Sequence, residues 1–589
     1  MDASKTSSGL LIAPSLEPTL ERDHLDRIPA TLERRDAFIA VLAVLIALAA
    51  TAAAEVLIRA IALVTNLAYF GRWSFGPADP ADHHLGLLAI GVPVLGGIVV
   101  GLMARYGSRA IRGHGIPEAM EQILTNESKI PLKMTFLKPT SAAIAIGSGG
   151  PFGAEGPIIA TGGALGSALG QLIHVTAAER KTLLAAGAAA GMTAIFGTPI
   201  AAMLLAIELL LFEYKARSIV PVALAAAAAG LLRMVLHGDV AAFAMPDVPA
   251  ATAATTIVAT LAGGIIGIVS TYVTRIVYAI EDRFEKLPIH WMWWPAIGGL
   301  VVGLVGVVQP HTLGVGYTNI DHALSGEVTA GALAALCAAK FVSWAIALGS
   351  GTSGGTLAPL LTLGSGLGWL LTAAVIAIAP HAGIDPRVGA LVGMTAMFAG
   401  ASRALLASIA FALESTPHLH AAVPVVAGVS VAYFVSSLMM KTTIMTERLA
   451  RRGVPATSEY DVDPLAHVQV SEIASRELRV MRHDVTAAEA IADLDQRGLR
   501  HQGYPVVDGD RLVGVITRTM LLAADPATRV DAMIERPPVT ARPRETARAA
   551  ASRMAHAGVG RLVVIDEAAR PIGIVTRSDL IAALARARR

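Results

Sequence analysis

Long apolar runs separated by short polar breaks make up most of the chain as far as about Met440. Two of them, from about Phe38 to Leu63 and from about Leu85 to Met103, are long enough to span a bilayer as helices. Many of the later runs are short and are interrupted by Gly or Pro; the later runs cover residues 139–150, 157–173, 183–196, 198–212, 358–379, 388–400 and 404–413. Because a helix of about 10–16 residues is too short for ~30 Å of hydrocarbon, these runs predict broken membrane helices whose ends line a buried cavity.

The pattern changes after Met440, where short Val/Ile runs begin to alternate with Ala-rich amphipathic stretches. This change predicts a soluble α/β tail. The predicted divisions are a polar N-terminal segment (1–35), a helical membrane domain (36–445), a linker (446–468) and the tail (469–589). Arginines flank both ends of the membrane domain, so the positive-inside rule places both termini in the cytoplasm. They are Arg22, Arg27, Arg34, Arg35, Arg448, Arg451 and Arg452.

The composition agrees with membrane insertion. Of the 589 residues, 54 % are hydrophobic and 16 % are charged, against about 25 % charged residues in an ordinary soluble domain. This excludes a soluble enzyme, and the net charge of +2 gives no reason to expect a nucleic-acid partner. The sequence has no HExxH, P-loop or nucleophile–base pattern, so we expect no enzyme activity, no catalytic residues, no metal site and no required cofactor.

Both parts of the chain contain an internal repeat. In the membrane domain an offset of 202 relates Gly147-Ser148-Gly149 to Gly349-Ser350-Gly351, and Gly191-Met192-Thr193-Ala194 to Gly393-Met394-Thr395-Ala396. Glu208 matches Glu414 only after a four-residue insertion. Such a duplication predicts two halves with a site at their interface. In the tail an offset of 59 relates residues 513–518 to residues 572–577, which predicts two copies of a helix–strand–turn–strand–helix module.

Three Gly/Pro-rich motifs stand at the ends of apolar runs. They are Gly113-His114-Gly115-Ile116-Pro117-Glu118, Gly153-Ala154-Glu155-Gly156-Pro157 and Gly355-Thr356-Leu357-Ala358-Pro359. In each motif the proline suits the first turn of a helix, and the glycines before it leave backbone N–H groups exposed. A helix N-terminus carries about half a positive charge, so three converging N-termini would bind an anion without Lys or Arg. Ordinary helix breaks would leave the same pattern.

Glu155 is a carboxylate in an apolar, Gly-rich stretch, and the repeat places Leu357 at the equivalent position. A carboxylate inside a membrane is costly, so its default interpretation is functional. When ionised beside an anion site it would compete with the anion, and protonation would remove that competition. The alternative is a carboxylate that only caps its helix.

At these motifs the chain resembles the CLC family of chloride channels and chloride/proton exchangers over about residues 36–455. The family patterns GSGIP, GREGP and GxFxP stand here as GHGIP, GAEGP and GTLAP. The resemblance implies two inverted halves of broken helices, a homodimer in the bacterial inner (plasma) membrane, and transport of chloride or a similar small anion. It makes Glu155 the gating glutamate. The anion-binding residues that it implies are His114, Gly115, Ile116, Ala154, Gly156, Thr356, Leu357 and Met445.

This chain departs from the family pattern at three positions. His114 and Met445 replace the serine and tyrosine that offer hydroxyl groups to the anion, and Leu209 aligns with the proton-transfer glutamate of the exchangers. His114 can still donate a hydrogen bond, or it only packs; Met445 has no donor, which favours a hydrophobic pore wall. Glu208 aligns with the neighbouring, more structural glutamate. We therefore expect a channel-like or weakly proton-coupled pathway. The alternative is a proton-coupled antiporter with another acceptor, such as Glu208, His114 or a water chain.

The tail resembles a pair of CBS (cystathionine-β-synthase-type) modules. The second copy carries Gly573, Thr576 and Asp579, which match a run that contacts the ribose of an adenine nucleotide in some such modules, whereas the first copy has Met520 in place of the aspartate. The resemblance implies at most one nucleotide site, or a purely structural or dimerising pair. A membrane-embedded nucleotide sensor is therefore an alternative function from a different class.

Overall fold

The structure is a computed structural model that describes residues 34–416, 418–454, 465, 468–496 and 503–587. Most of the predicted N-terminal segment (1–35) and much of the predicted linker (446–468) lie outside the described residues. The described residues form two compact units, one within 34–454 and the other within 465–587, and each is described by itself.

The membrane unit is helical and consists of two series of eight helices followed by a short one. The first series is α1 (Arg34–Phe70), α2 (Gly91–Tyr106), α3 (Ile116–Thr125), α4 (Met134–Gly147), α5 (Glu155–Leu172), α6 (Ala177–Phe196), α7 (Pro199–Ala206) and α8 (Ala216–His237). The second is α9 (Ala253–Glu285), α10 (Trp294–Val308), α11 (Tyr317–Ser325), α12 (Ala330–Gly349), α13 (Leu357–Ile378), α14 (Pro386–Ser402), α15 (Leu405–Ser415) and α16 (Ala422–Met439). The last helix is α17 (Glu447–Arg451).

Shorter helical segments connect these elements. A π-helical turn, Ile207–Leu211, continues α7. The 3-10 turns of the membrane unit are Pro80–Asp82, Gly86–Ile90, Arg109–Ile111, Trp291–Trp293, Pro310–Thr312 and Leu419–Ala421.

Within the described residues, eight helical segments are long and apolar enough to cross a membrane. The prediction of short broken helices holds for Pro199–Leu211 and Leu405–Ser415. The apolar runs 183–196 and 358–379 instead belong to helices of 20 and 22 residues. The first of these helices extends beyond its apolar run because a capping box, formed by Thr176 and Glu179, starts it in a polar segment.

Close glycine contacts define the packing at the centre of each half. A Cβ added to Gly162 would lie 2.1 Å from the carbonyl oxygen of Gly187, and a Cβ added to Gly187 would lie 2.1 Å from the carbonyl oxygen of Gly162. In the second half Gly364 and Gly393 have the same mutual relation. The structure therefore pairs Gly187 with Gly393, so the predicted pairing of Gly191 with Gly393 is wrong by four residues. The four-residue insertion precedes α14, since α13 has 22 residues and α5 has 18.

Helix α17 lies in the segment predicted as a linker and is bound to the membrane unit by ion pairs. Arg448 bridges Glu118 on α3 at 3.2 Å and Glu281 on α9 at 2.8 Å. Arg452, just after the helix, pairs with Glu121 at 2.5 Å. The end of the membrane unit is thereby attached to α3, the helix that begins at the first Gly-rich motif.

The tail forms two modules of the same topology. Their helices are α18 (Val470–Ile473), α19 (Ala487–Gln496), α20 (Arg518–Ala523), α21 (Ala547–Ala557) and α22 (Arg577–Ala587), with a 3-10 turn at Asp531–Met533. The strands are β1 (Met481–Arg482), β2 (Gly503–Asp508), β3 (Arg511–Thr517), β4 (Thr540–Ala541), β5 (Arg561–Ile565) and β6 (Pro571–Thr576). The sheet orders are β1-β2-β3 and β4-β5-β6, and in each the first pair is parallel and the second antiparallel. The predicted α/β tail is confirmed.

Candidate functional site

The three predicted Gly-rich motifs meet between the two halves of the membrane unit. Gly153 and Gly355 form an antiparallel bridge, with N···O distances of 3.4 and 3.0 Å between their backbones. Gly113 lies opposite Ser353 in a parallel bridge: its amide donates to Thr352 at 3.1 Å, and its carbonyl accepts from Gly354 at 3.3 Å. The motifs therefore share a small backbone-lined centre, which the sequence predicted from the repeat.

The backbones at this centre are too close to admit side chains. A Cβ on Gly156 would lie 2.1 Å from the carbonyl oxygen of His114 and 2.9 Å from Cα of Gly355. A Cβ on Gly115 would lie 2.4 Å from the carbonyl oxygen of Gly156, and Gly115 also has φ +96°, which disfavours other residues. Glycine is therefore required at these positions by contact and by conformation.

Four helices begin around this centre: α3, α5, α11 and α13. The first N–H groups of each have no acceptor within their own helix. At α13 these are the amides of Thr356 and Leu357, which were predicted to bind the anion. At α3 the Gly115 amide is occupied instead, since it donates to the carboxylate of Glu118, three residues later, at 2.6 Å. Of the predicted amides, that of Gly115 is therefore committed to its own helix.

Glu155 is fully buried at the start of α5, and its carboxylate faces the second half of the molecule. Oε1 accepts a hydrogen bond of 3.1 Å from the hydroxyl of Tyr317. Oε2 has no hydrogen-bond partner at ordinary geometry among the described residues, although the backbone N–H groups of Glu155 and Ala358 face the carboxylate. A Cβ on Gly355 would lie 3.0 Å from Oε2, so this carboxylate oxygen lies against the backbone just before α13.

Tyr317 is a site residue that the sequence analysis missed. It begins α11, after Gly316 at φ +73°. The segment Gly314-Val315-Gly316-Tyr317 is the counterpart of Gly113-His114-Gly115-Ile116 at an offset of 201, and extending the repeat search upstream would have found it. The backbone N–H of Ala154, predicted to face an outer anion, instead faces the Tyr317 hydroxyl oxygen.

His114 and Met445 lie at the other predicted part of the anion path. Both are buried, His114 with 2 % and Met445 with 0 % of its surface exposed. The backbone carbonyl of Ile444 faces the imidazole and also accepts a 2.8 Å hydrogen bond from Tyr278. Nδ1 of His114 has no partner within the described part of the chain, so the ring retains hydrogen-bonding capacity.

Two buried lysines, also missed, lie behind the Gly-rich loops. Lys138 donates to the carbonyls of Ile111 and Gly113, both at 2.8 Å. Lys340 donates to the equivalent carbonyls of Thr312 and Gly314, both at 3.0 Å. The two lysines are related by the offset of 202 that the Gly-rich motifs obey. Each ammonium group fixes the loop before a helix start, α3 in one half and α11 in the other.

Glu208 has both carboxylate oxygens on the helix of the opposite half. They accept hydrogen bonds of 2.9 Å from the amides of Leu406 and Ala407, at the start of α15. Glu414 does the same for α7, accepting from Ile200 at 2.9 Å and Ala201 at 2.7 Å. Leu209 is buried in the π-helical turn. The geometry makes Glu208 and Glu414 reciprocal helix caps, and a role of Glu208 in proton transfer stays a prediction.

The tail contains a cleft of about 600 Å³ that both modules line. Thr576 and Asp579 stand on its wall and bind each other, the Thr576 hydroxyl donating to Asp579 at 2.8 Å. Arg479, Arg561 and Arg577 also line the cleft. Burial lowers the pKa of the Arg561 guanidinium. The group still carries its charge at neutral pH, because arginine loses its proton only far above neutral pH.

Comparisons with known proteins agree with this architecture. A family model described as "Voltage gated chloride channel" matches residues 95–437, more than half of the chain, and the CBS domain model matches residues 470–527 and 530–586. Similar solved structures include a slow cyanobacterial Cl⁻/H⁺ antiporter, with a TM-score of 0.61 and 21 % identity over 72 % of this chain and 98 % of that one. A eukaryotic CLC transporter has a TM-score of 0.57 and 20 % identity over 92 % of this chain and 97 % of that one. These structures show the fold.

Relatives by sequence are named as chloride proteins of more than one kind. The chain is 30 % identical to "Chloride channel protein CLC-f" of Arabidopsis thaliana over 59 % of its own length, and the match spans 47 %, about half, of the plant protein. It is 29 % identical to "H(+)/Cl(-) exchange transporter ClcA" of Klebsiella pneumoniae over 62 % of this chain and 79 % of that one. The chain therefore belongs to the voltage gated chloride channel family, the CLC family, and carries two CBS domains after its membrane unit.

Proposed function

We propose that this protein transports chloride, or a similar small anion, through the centre where the four helix N-termini meet. The observation that supports this most is the Glu155 carboxylate, which lies buried against the start of α13 with one oxygen unpartnered among the described residues. The ionised Glu155 carboxylate thus occupies a position where backbone N–H groups at a helix N-terminus would favour an anion. When protonated, the side chain loses this attraction and leaves the position to chloride, so Glu155 acts as the gate.

The experiment is chloride efflux from liposomes that contain the purified protein. We expect efflux well above that of protein-free liposomes, and retention of gluconate in the same liposomes. Chloride efflux equal to that of protein-free liposomes, with the protein monodisperse and inserted, would refute the proposed function.

We further propose that the pathway is channel-like or weakly proton-coupled. Leu209 offers no ionisable group in the position that the resemblance assigns to proton transfer, and Glu208 has both oxygens engaged by amides of α15. The alternative is a proton-coupled antiporter, which the names of the ClcA relatives favour. A membrane-embedded nucleotide sensor is not favoured, since the matched family and the named relatives concern chloride transport.

A chloride gradient is accordingly expected to drive little or no uphill proton movement. Proteoliposomes with a chloride gradient and no voltage would be monitored with an external pH electrode while chloride is recorded in the same vessel. Proton uptake that follows chloride efflux at a fixed ratio, and that Glu155→Gln abolishes, would establish the antiporter instead.

For the tail, we propose that the cleft binds one adenine nucleotide. Thr576 and Asp579 would contact the ribose, as the resemblance implies, and Arg479, Arg561 and Arg577 supply positive charge for the phosphates. The family of the tail domains supports this proposal only in general terms, because CBS domains do not share one ligand.

We expect Asp579→Ala to weaken ATP binding to the full-length protein by about tenfold or more, because a charged hydrogen-bond acceptor for the ribose is lost. Isothermal titration calorimetry with ATP and AMP measures this change. Asp566→Ala is the matched control, since Asp566 accepts from the amides of Ala568 and Arg570 in its own turn and does not line the cleft. Equal affinity in wild type and Asp579→Ala would contradict the assignment.

We also propose a homodimer in the bacterial inner (plasma) membrane with both termini in the cytoplasm. The arginines near both ends of the membrane domain support the orientation. Exposed apolar side chains on α8 and α16, such as Leu224, Leu231, Val423 and Phe434, provide surfaces for lipid or for a second subunit.

A further inference from the structure

Tyr317 connects the buried carboxylate of Glu155 to an open cavity of the membrane unit. This cavity has a volume of about 430 Å³, and Asp79, Leu313, Tyr317 and Thr318 are among the residues that line it. The hydroxyl of the same residue donates to Oε1 of Glu155 at 3.1 Å. Tyr317 thus stands between the cavity and a carboxylate that has no exposed surface of its own.

The Tyr317 hydroxyl is the one side-chain donor recorded for Glu155 among the described residues. The remaining support for the carboxylate comes from backbone N–H groups at the starts of α5 and α13. A hydrogen bond to an ionised group is stronger than one to a neutral group, so this contact favours the ionised carboxylate in its present position.

Packing fixes the place of the tyrosine ring. It meets Phe196 edge-on, with ring centroids 5.6 Å apart, and Phe243 at 6.2 Å. Phe411 packs edge-on against Phe196 at 5.0 Å and closes the cluster. Tyr317 is also the first residue of α11, so the hydroxyl is held in place whether or not the Glu155 carboxylate is bound. Little side-chain entropy is therefore lost when the hydrogen bond to Glu155 forms.

The other ionisable groups on the neighbouring elements contact residues other than Glu155. Lys340 on α12 binds two backbone carbonyls, and the charge of Asp79 acts on Lys340. Asp321 on α11 accepts from the amide of Ala244 at 3.0 Å. The ring of His114, before α3, faces Ile444. None of these four groups acts on Glu155, so among the described residues Tyr317 is the ionisable side chain that faces it.

We propose that Tyr317 is a positioning residue that holds ionised Glu155 in the closed position and thereby sets the pH at which the gate opens. This inference rests on the proposed function, in which Glu155 is the gate. The hydroxyl stabilises the closed, ionised state and does nothing comparable for a protonated carboxyl that has moved away. Removal of the hydroxyl therefore opens the gate at higher pH and leaves the anion path itself intact.

The test is the pH profile of chloride efflux for Tyr317→Phe, which removes the hydroxyl and keeps the ring. We expect faster efflux at neutral pH and a midpoint of acid activation about one unit higher, which corresponds to about tenfold in the closed–open equilibrium. Tyr69→Phe is the matched control, because the Tyr69 hydroxyl is also buried and also donates at 3.1 Å, to the backbone carbonyl of Ser148. It is expected to keep the wild-type midpoint.

Two further measurements separate a positioning role from a structural one. In the Glu155→Gln background, Tyr317→Phe should leave efflux unchanged at every pH. Fluorotyrosine at position 317 is a stronger donor and should move the midpoint of the wild-type channel in the opposite direction, without loss of packing.

The outcomes distinguish this inference from the proposed function. If the wild type gives no efflux above protein-free liposomes, the proposed function is wrong. If Glu155→Gln retains the wild-type pH profile, Glu155 is not the gate and the part of the proposed function on which this inference rests is wrong. If Glu155→Gln flattens the profile but Tyr317→Phe behaves like Tyr69→Phe, the gate stands and the role of Tyr317 is refuted. An equal effect of Tyr317→Phe with and without Glu155 would also refute it.

Discussion

Replacement of Glu155 by glutamine is expected to raise chloride efflux at neutral pH and to remove most of its pH dependence. The wild-type carboxylate is buried against the helix starts, where it occupies a position for an anion, and opening requires a proton that removes its charge. Glutamine has nearly the same shape and no charge to lose. Efflux through the wild type should rise about tenfold or more between about pH 7.5 and pH 4.5, whereas the variant should change by less than about twofold.

This prediction is measured as initial chloride efflux from proteoliposomes buffered at each pH. Glu327→Gln is a suitable control, since Glu327 is an exposed glutamate that follows α11. It should retain the wild-type profile. A Glu155→Gln variant with unaltered efflux and unaltered pH response would show that this carboxylate does not gate the pathway.

The substitution Gly156→Ala is expected to reduce chloride efflux by about tenfold or more, or to destabilise the protein by about 1–3 kcal/mol. The added Cβ would stand 2.1 Å from the carbonyl oxygen of His114 and 2.9 Å from Cα of Gly355. Both neighbours are backbone, so neither can rotate away. The starts of α3 and α13 must therefore separate from α5, which enlarges the centre where their N–H groups converge.

Efflux per folded protein and thermal unfolding in detergent together measure both parts of this effect. The control is Gly331→Ala, near the start of α12, where an added Cβ meets nothing within 4 Å. Alanine is favoured over glycine in a helix, so this variant should be at least as stable as the wild type. Wild-type efflux and stability in Gly156→Ala would show that the close contact of the three loops is not needed.

Glu155 and the three motifs could be found from sequence because their signal is local. A carboxylate in a Gly-rich apolar stretch can be recognised from its sequence neighbours, whichever residues it contacts in the fold. The repeat then relates the second Gly-rich motif to the third. The local sequence around Tyr317 does not reveal its contact with Glu155, which joins positions 162 residues apart, and only the repeat, extended upstream, indicates its place. Tyrosine is also unremarkable at the edge of an apolar segment.

The commitment of the Gly115 amide was predictable, because Gly115 and Glu118 have the spacing of a capping box. The four-residue error in the repeat has a different cause. Small residues recur every four positions along α6, so a slip of one helical turn still aligns small residues with small ones. The true register follows from the contacts of Gly187 and Gly393 and from the reciprocal caps made by Glu208 and Glu414.

In the proposed pathway the helix N-termini hold the anion, and the Glu155 carboxylate occupies one of the anion positions. Anomalous scattering from bromide-soaked crystals of the wild type and of Glu155→Gln locates the anion directly. We expect a bromide peak at the amides of Thr356 and Leu357 in both crystals, and a second peak beside Gly355 only in the variant. Bromide absent from these amides, or an identical set of peaks in the two crystals, would contradict the proposed pathway.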